Sequence, residues 1–286
     1  MFYPAMTFPV TFNFFGRAVP AHLVFEVAAY TVGFQIFLLI RRRAGEKSPA
    51  RVPVEALMWL LVGCVFGALF GSKLLAWIES APEYWAARHD IRAWFGGKTI
   101  VGGLLGGWIG VEIAKKRLGI RGSTGDLFAI PLCLGIAIGR IGCFLTGLSD
   151  HTHGIATSLP WAVDFGDGIP RHPTQLYEIL FLLLLAIALQ IRSRRPHMNG
   201  EIFRLFMLSY LAWRFCVEFI KPTWKPIGVS PIQMASVIGA VVAAKQWARL
   251  HRKMRAASVD HRHPERSEGS PLGAPSPVGD PSLRSG

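Results

Sequence analysis

The chain has 286 residues, of which 51% are hydrophobic, and it carries a formal net charge of +13. Continuous apolar runs of about 20 residues exclude an ordinary soluble domain and predict a polytopic membrane protein. The positive charge does not indicate nucleic-acid binding, because the basic residues cluster between the apolar runs, as they do in membrane proteins.

Seven apolar spans follow one another and predict one all-α integral membrane domain of seven transmembrane helices over residues 1–255. In chain order, the spans are residues 22–40, 54–78, 99–114, 127–147, 175–191, 202–220 and 232–247. No cleaved signal peptide is expected at the N-terminus. Aromatic residues within 79–98 favour a position at the membrane interface. Residues 256–286, rich in Pro, Ser, Gly and charge, are expected to form a disordered cytoplasmic tail.

The orientation of the spans follows from clusters of Lys and Arg, which come after the first, third, fifth and seventh spans. Because such clusters stay in the cytoplasm, the N-terminus is expected outside the membrane and the C-terminus in the cytoplasm. The fourth and sixth spans then run outward, and the first and fifth spans run inward.

Glycines recur at every fourth residue in the second and third spans. They are Gly63, Gly67 and Gly71 in the second span and Gly102, Gly106 and Gly110 in the third. This spacing lets two helix backbones approach each other closely in a membrane, so it indicates packing between the spans. Gly102 and Gly103, at the outer start of the third span, are also placed to let a lipid head group approach the backbone.

The cysteines all lie within apolar spans and lack the spacing of metal ligands. They are Cys64, Cys133, Cys143 and Cys216. The sequence therefore predicts no disulfide framework, no metal site and no organic cofactor.

Arg140 is the most informative charged residue, because it lies inside the apolar fourth span. A guanidinium in hydrocarbon costs at least a few kcal/mol, so it needs a partner, a water-filled cavity or a ligand. The topology brings Arg214 of the sixth span to a similar depth, about two helical turns below the outer surface. Tyr210 and Glu218 share the helix face of Arg214, because residues four apart align.

Further polar residues belong to the outer half of the membrane on this topology. They include Glu26, His172, Gln175, Tyr177 and Glu178. Together they predict a polar cavity open to the outer leaflet, in which the forked donors of two arginines suit a phosphate. The alternative is a set of buried ion pairs, such as Arg214 with Glu218, that only neutralise one another. A proton or ion pathway is less favoured, because it would place groups at several depths.

Four motifs in residues 22–250 resemble the prolipoprotein diacylglyceryl transferase family. They are GGLLG at 102–106, GRIGCFLTG at 139–147, HPTQLYE at 172–178, and YLAWR at 210–214 followed by Glu218 and Phe219. The resemblance implies a seven-helix enzyme of the bacterial inner membrane whose active site faces the outer leaflet. Such an enzyme transfers a diacylglyceryl group from phosphatidylglycerol to the lipobox cysteine of a preprolipoprotein signal peptide, and glycerol phosphate leaves.

The resemblance also implies which residues take part in catalysis. Arg140 and Arg214 would hold the phosphodiester and stabilise the leaving phosphate, while Glu218 would orient Arg214 or a glycerol hydroxyl. His151, in the segment that follows the fourth span, is predicted as the base that accepts the thiol proton, and a solvated loop histidine is the alternative. The predicted substrate-binding residues are Glu26, Gly102, Gly103, Cys143, His172, Gln175, Tyr177 and Tyr210.

The chain departs from the family pattern at four positions. Val101 replaces a histidine, Cys143 an asparagine, Leu148 a glutamate and Glu26 an aromatic residue. Cys143 is interpreted as a buried filler rather than as a nucleophile. These departures keep two alternatives open: a divergent transferase with a different acceptor, and a non-catalytic protein that binds or transports phospholipid.

Overall fold

A computed structural model describes residues 7–45 and 52–260, and helices dominate this part of the chain. The helices are α1 Ala21–Arg43, α2 Val54–Glu79, α3 Ala81–Ala86, α4 Ile91–Phe95, α5 Ile100–Arg117, α6 Asp126–Thr146, α7 Thr174–Ser193, α8 Glu201–Val217 and α9 Pro231–Asp260. Short 3-10 helices follow α6 at Gly147–Asp150 and α8 at Glu218–Ile220. The chain divides into two compact units, one ending at Trp247 and one beginning at Ala248.

Each of the seven predicted spans lies on a long helix, so the helical prediction is confirmed. Four of the described helices are long and apolar enough to cross a membrane, namely α1, α2, α6 with its 3-10 extension, and α7. The helix α9 extends to Asp260, through residues 256–260 of the predicted tail, and residues 261–286 lie outside the described residues.

Two small antiparallel sheets, which the all-α prediction omitted, are present in the described residues. Strand β1, Thr11–Phe14, pairs with β2, Arg17–Pro20. Strand β3, Val163–Asp164, pairs with β4, Pro170–Arg171. The first hairpin turns at Phe15 and Gly16, whose φ angles are +50° and +77°, the left-handed conformation that two-residue turns use. Strands of two to four residues are too short for an alternating pattern to reveal them.

Both glycine rows were predicted to allow close helix packing, and in the structure they pack against each other, because α2 lies on α5. The backbones touch along the two glycine rows: Gly63 faces Gly110, Gly67 faces Gly106, and Gly71 faces Gly102. A Cβ on Gly63 would lie 2.8 Å from the carbonyl oxygen of Gly110, closer than real Cβ atoms approach. Glycine is therefore required for this close approach.

The candidate site lies where α6, α7 and α8 meet. Helix α6 packs against both α1 and α7, and α8 contacts α6 and α7. The apolar core below the site includes Leu182 of α7 and Phe206 of α8, both fully buried. The irregular segment 147–173 joins α6 to α7 and passes over the ends of these helices.

Candidate functional site

Glu178, in the first two turns of α7, is the centre of the buried polar residues. Its carboxylate accepts hydrogen bonds from the Tyr210 hydroxyl at 2.6 Å and from Arg214 Nη1 at 3.2 Å. Arg140 Nε lies 2.9 Å from Glu178 Oε2 and forms an ion pair with it. One carboxylate thus joins groups from α6, α7 and α8, and it is only 2% exposed.

Glu218 provides a second carboxylate for the same cluster. Its Oε2 lies 3.3 Å from Arg214 Nη2, so Arg214 bridges Glu178 and Glu218. The ion pair between Arg214 and Glu218, which the sequence analysis held as an alternative, is therefore present. Two buried atoms, Arg214 Nε and Glu218 Oε1, make no hydrogen bond with any described residue, so both remain able to bind an additional partner.

Lys221, just beyond α8, adds a positive charge to this cluster. It is buried and interacts electrostatically with Arg214 and Glu218. Burial lowers the pKa of the Lys221 ammonium to about 8, and the charge of Arg214 acts in the same direction. Lys221 therefore adds a third cation beside Arg140 and Arg214, and the carboxylate of Glu79 from α2 also faces this group, together with Glu178 and Glu218.

A second polar cluster adjoins the first through Arg140. Arg140 Nη1 lies 3.8 Å from the sulfur of Cys143, and the donor atoms of Cys143, His22 and Asp150 lie within 4.8 Å of one another. Glu26, a predicted substrate-binding residue, is at the edge of this cluster, with its Oε2 3.7 Å from His22 Nε2.

Glu26 is also paired with a cation from outside the helices. Lys98 donates a hydrogen bond of 2.7 Å to Glu26 Oε1, and this bond raises the pKa of Lys98. The Tyr30 hydroxyl donates a further hydrogen bond of 3.5 Å to Glu26 Oε1, so Glu26 has three partners of its own. In the described residues, no contact directs its carboxylate at either buried arginine.

The predicted head-group residues form a third group at the start of α7. His172 Nδ1 lies 3.1 Å from the Tyr177 hydroxyl, which accepts a hydrogen bond of 2.8 Å from Trp161. Gln175 is buried and donates a 3.0 Å hydrogen bond to the hydroxyl of Thr152. These bonds hold the segment between α6 and α7 against the first turn of α7.

Three predicted residues are not joined to these groups. Gly102 packs against Gly71, while Gly103 faces a looser contact, with Ala68 and Ser72 3.8 Å from a Cβ placed on it. His151 is exposed at φ +50°, and its side chain makes no hydrogen bond or ion pair with a described residue. No contact among the described residues joins His151 to the buried arginines, which it was expected to overhang.

Sequence reasoning counted Glu178 among the polar residues of the predicted cavity but gave it no individual role, and it did not consider Lys221. The signal for Glu178 was present, because it is a carboxylate in an apolar span at the depth of two arginines. Lys221 gave no such signal, because it follows the span and resembles an ordinary loop residue. Val101, at the position of the family histidine, is buried among the apolar residues of the core.

The arrangement is suited to binding a phosphodiester and stabilising a leaving phosphate. Glu178 fixes two guanidiniums in one place, and burial strengthens their attraction for an anion, because little water competes. Tyr210 fixes the other side of Glu178 through its hydroxyl hydrogen. Preorganised positive charge of this kind stabilises the negative charge that develops on a departing phosphate.

The chain is similar to one set of known proteins over most of its length. Residues 18–249 match the family model described as prolipoprotein diacylglyceryl transferase. Proteins named phosphatidylglycerol–prolipoprotein diacylglyceryl transferase from Bordetella parapertussis and Polynucleobacter asymbioticus are each 33% identical over 227 residues, covering 76% of this chain and 82% and 83% of those relatives. The protein of that name from Geobacter sulfurreducens is 32% identical over 228 residues, covering 73% of this chain and 82% of the relative.

Proposed function

This chain belongs to the prolipoprotein diacylglyceryl transferase family, and we propose that it transfers a diacylglyceryl group from phosphatidylglycerol to the lipobox cysteine of a preprolipoprotein. The observation that carries the proposal is the pair of buried arginines held by one carboxylate, Glu178. The names of the relatives identify phosphatidylglycerol as the donor and a prolipoprotein as the acceptor.

The proposed reaction is the alkylation of a thiol. The acceptor thiolate attacks the glyceryl carbon that carries the phosphate ester, a C–S bond forms, and the C–O bond breaks with its electron pair leaving on glycerol phosphate. Arg140 and Arg214 hold the phosphodiester and stabilise the charge that develops on the leaving phosphate. Glu218 orients Arg214, to which it is paired.

We assign the remaining predicted residues to substrate binding. His172, Gln175 and Tyr177 shape the head-group pocket at the start of α7, and Tyr210 holds Glu178 in position. The hydrogen bonds of His172, Gln175 and Tyr177 support this assignment, because they hold these side chains at the start of α7, the helix that also carries Glu178. Gly102, Gly103, Cys143 and Glu26 complete the substrate-binding set that we propose.

His151 is the proposed general base. Thiol alkylation needs a group that accepts the thiol proton, and an exposed imidazole is accessible to an acceptor peptide that arrives from solvent. Its neighbour Asp150 lies beside Cys143, so the turn that carries His151 adjoins the proposed site.

We also propose the full topology of seven spans. The four helices that are long and apolar enough to cross a membrane support it, as do the basic clusters that end α1 and α5. On this topology the protein lies in the bacterial inner membrane, with its N-terminus outside, its C-terminus in the cytoplasm and its active site facing the outer leaflet.

A divergent transferase with a different acceptor is the second candidate. Buried Val101 favours it, because no imidazole can act at the position where the family has a histidine. The donor site would be unchanged, since the arginines and their carboxylates are present, and only the group that receives the lipid would differ.

The deciding experiment is transfer of labelled diacylglycerol from phosphatidylglycerol to a lipobox peptide by the purified protein. We expect transfer that is lost in Arg140→Ala and retained in the control Arg121→Ala, which changes an exposed arginine between α5 and α6. Phosphatidylglycerol binding without transfer would favour the divergent acceptor or a non-catalytic lipid-binding protein. Undiminished binding and transfer in Arg140→Ala would reject the phosphate site.

A further inference from the structure

The cluster of His22, Cys143 and Asp150 offers three different donor atoms to one point. These residues come from α1, from α6 and from the 3-10 helix after α6, so the fold, not sequence spacing, brings them together. Their imidazole nitrogen, thiol sulfur and carboxylate oxygen lie within 4.8 Å of one another, and His22 Nδ1 is 3.8 Å from Asp150 Oδ1. Nδ1 is buried and makes no hydrogen bond with any described residue.

We propose that these three residues bind a divalent transition-metal ion of the zinc class. Zinc takes nitrogen, sulfur and oxygen ligands at about 2.0–2.3 Å, which puts tetrahedral donors roughly 3.5 Å apart. The observed separations of up to 4.8 Å require the donors to converge by up to about 1.3 Å, a movement within the reach of side-chain rotation. A mixed donor set of this kind suits zinc better than magnesium or calcium, which prefer oxygen alone.

Each of the three ligands has a partner that orients it. Glu26 Oε2 faces the other nitrogen of His22 at 3.7 Å, and Thr152 donates a 2.7 Å hydrogen bond to the other oxygen of Asp150. A carboxylate behind a histidine ligand is the usual arrangement at zinc sites, because it fixes the tautomer and raises the basicity of the imidazole. The buried unpaired Nδ1 of His22 is thereby left facing Asp150 and Cys143.

Arg140 is the partner of the third ligand. Its Nη1 lies 3.8 Å from Cys143 Sγ and donates a weak hydrogen bond to it, which holds the sulfur in place. The charge of Arg140 does not oppose the metal strongly, because Glu178 is paired with the same guanidinium. A thiolate and a carboxylate together balance the two positive charges of the ion.

Three protein ligands leave a fourth tetrahedral position open, which is the mark of reactive rather than structural zinc sites. The His22 side chain is 35% exposed, so this position has an approach from outside the protein. In the proposed reaction the acceptor thiol would bind there and would lose its proton more readily to His151, the proposed base. This last role rests on the proposed function, whereas metal binding itself does not.

The experiment measures metal binding by the full chain, purified in detergent with a tag that is not metal-chelating. After equilibration with ZnCl₂ and removal of free metal, we expect about one zinc per chain by mass spectrometry of the metal. With CoCl₂ we expect a sulfur-to-cobalt charge-transfer band. Cys143→Ser should abolish the band, and Cys216→Ser, which changes an exposed cysteine elsewhere, should retain it.

Two further variants test the ligand Asp150 and Glu26, the carboxylate that faces the ligand His22. Asp150→Asn should weaken zinc binding more than tenfold, and Glu26→Gln should weaken it by about 10- to 100-fold, as the loss of a group behind a ligand does. In the unmodified protein, ZnCl₂ should protect Cys143, and not Cys216, from alkylation by N-ethylmaleimide. Because this experiment uses the unmodified protein, its result does not depend on whether a variant folds.

Three results would overturn the proposal: no zinc retained, a charge-transfer band that persists in Cys143→Ser, or equal alkylation of Cys143 with and without zinc. These outcomes test the metal site independently of the proposed function, because zinc binding is measured without lipid or acceptor. Zinc bound to a protein that shows no transfer to the lipobox peptide would contradict the proposed function and leave the metal site standing.

Discussion

Arg140 Nε lies 2.9 Å from the carboxylate of Glu178, although α6 and α7 bring the two residues from separate parts of the chain. The same carboxylate binds Arg214, so neither guanidinium depends on a ligand for its negative partner. Glu178 therefore sets the position of both groups proposed to hold the phosphate. A buried ion pair is costly to form, and its retention at a candidate site suits a positioning role better than one in stability alone.

Glu178→Gln should lower transfer by about 100-fold or more. The amide keeps the size of the side chain and an acceptor for Tyr210, yet removes the charge that Arg140 and Arg214 share. Leaving buried charge without its partner also costs about 3–5 kcal/mol of stability. Transfer is measured per mole of folded protein, and folding is followed by thermal unfolding in detergent.

The matched control is Glu112→Gln, which breaks an ion pair with Lys115 in which Glu112 is 52% exposed. Lys115 is buried and loses its partner, so some thermal stability should be lost. The folded protein should keep its transfer rate, because Glu112 is paired with Lys115 and not with a residue of the site. The Glu178→Gln protein could instead be destabilised while its folded fraction transfers at the normal rate. That result would show that the ion pairs of the cluster contribute to stability only and that Glu178 does not position the arginines for transfer.

The sequence predicted the helices well and the contacts among buried charges only in part. Apolar runs identify long helices directly. The spacing of Arg214 and Glu218 suggested their ion pair only as an alternative to a phosphate site, and the structure contains that pair. The choice between Glu178 and Glu218 as the partner of Arg140 depends on how α6, α7 and α8 rotate against one another. No local pattern encodes that rotation.

The meeting of His22 with Cys143 and Asp150 shows the same limit more sharply. Rules for metal ligands read short spacings along the chain, and these residues lie on separate elements. The β1–β2 hairpin was also missed, because strands of four residues carry too few alternations to stand out beside long apolar helices.

Two glycine substitutions in neighbouring positions should change stability in opposite directions. Gly106→Ala places a Cβ against the backbone of Gly67 and should cost about 1–3 kcal/mol, because two packed backbones must separate. Gly103→Ala meets its first contacts at 3.8 Å and should be neutral or stabilising by up to about 1 kcal/mol, since alanine favours a helix. Thermal unfolding in detergent compares them.

The same pair tests whether Gly103 admits a lipid head group. A Gly103→Ala protein that is stable but transfers poorly would support the assigned binding role. Equal stability of Gly103→Ala and Gly106→Ala would contradict the close approach of α2 and α5.

His151→Gln should reduce transfer by about 100-fold while leaving phosphatidylglycerol binding unchanged, because a base acts on the acceptor thiol and not on the phosphate. His153→Gln is the control, since His153 Nδ1 lies 3.1 Å from the Gly154 carbonyl and its ring packs near Phe165. Initial rates at saturating lipid separate the two effects. Full transfer in His151→Gln would remove this residue from the mechanism.

Lys221 should make phosphatidylglycerol binding depend on pH near 8. Its ammonium faces Arg214 and Glu218 of the α8 region, Arg140 of α6 and Glu79 of α2. Because its pKa is about 8, raising the pH through this value removes one positive charge and should weaken phosphate binding about tenfold. Lys221→Gln should bind weakly at every pH in this range, and the control Lys225→Gln should keep the dependence.

The stability of the protein should change in the opposite sense over the same range. The pKa of Lys221 is about 8 in the folded protein and 10.5 when unperturbed, so between these values the unfolded chain binds more protons than the folded one. The free energy of unfolding contributed by Lys221 must therefore rise as pH increases from 8 to 10.5. Weaker binding alongside equal or greater stability would exclude denaturation as the cause. A parallel fall of binding and stability in the unmodified protein, unchanged by Lys221→Gln, would instead assign the pH effect to another group.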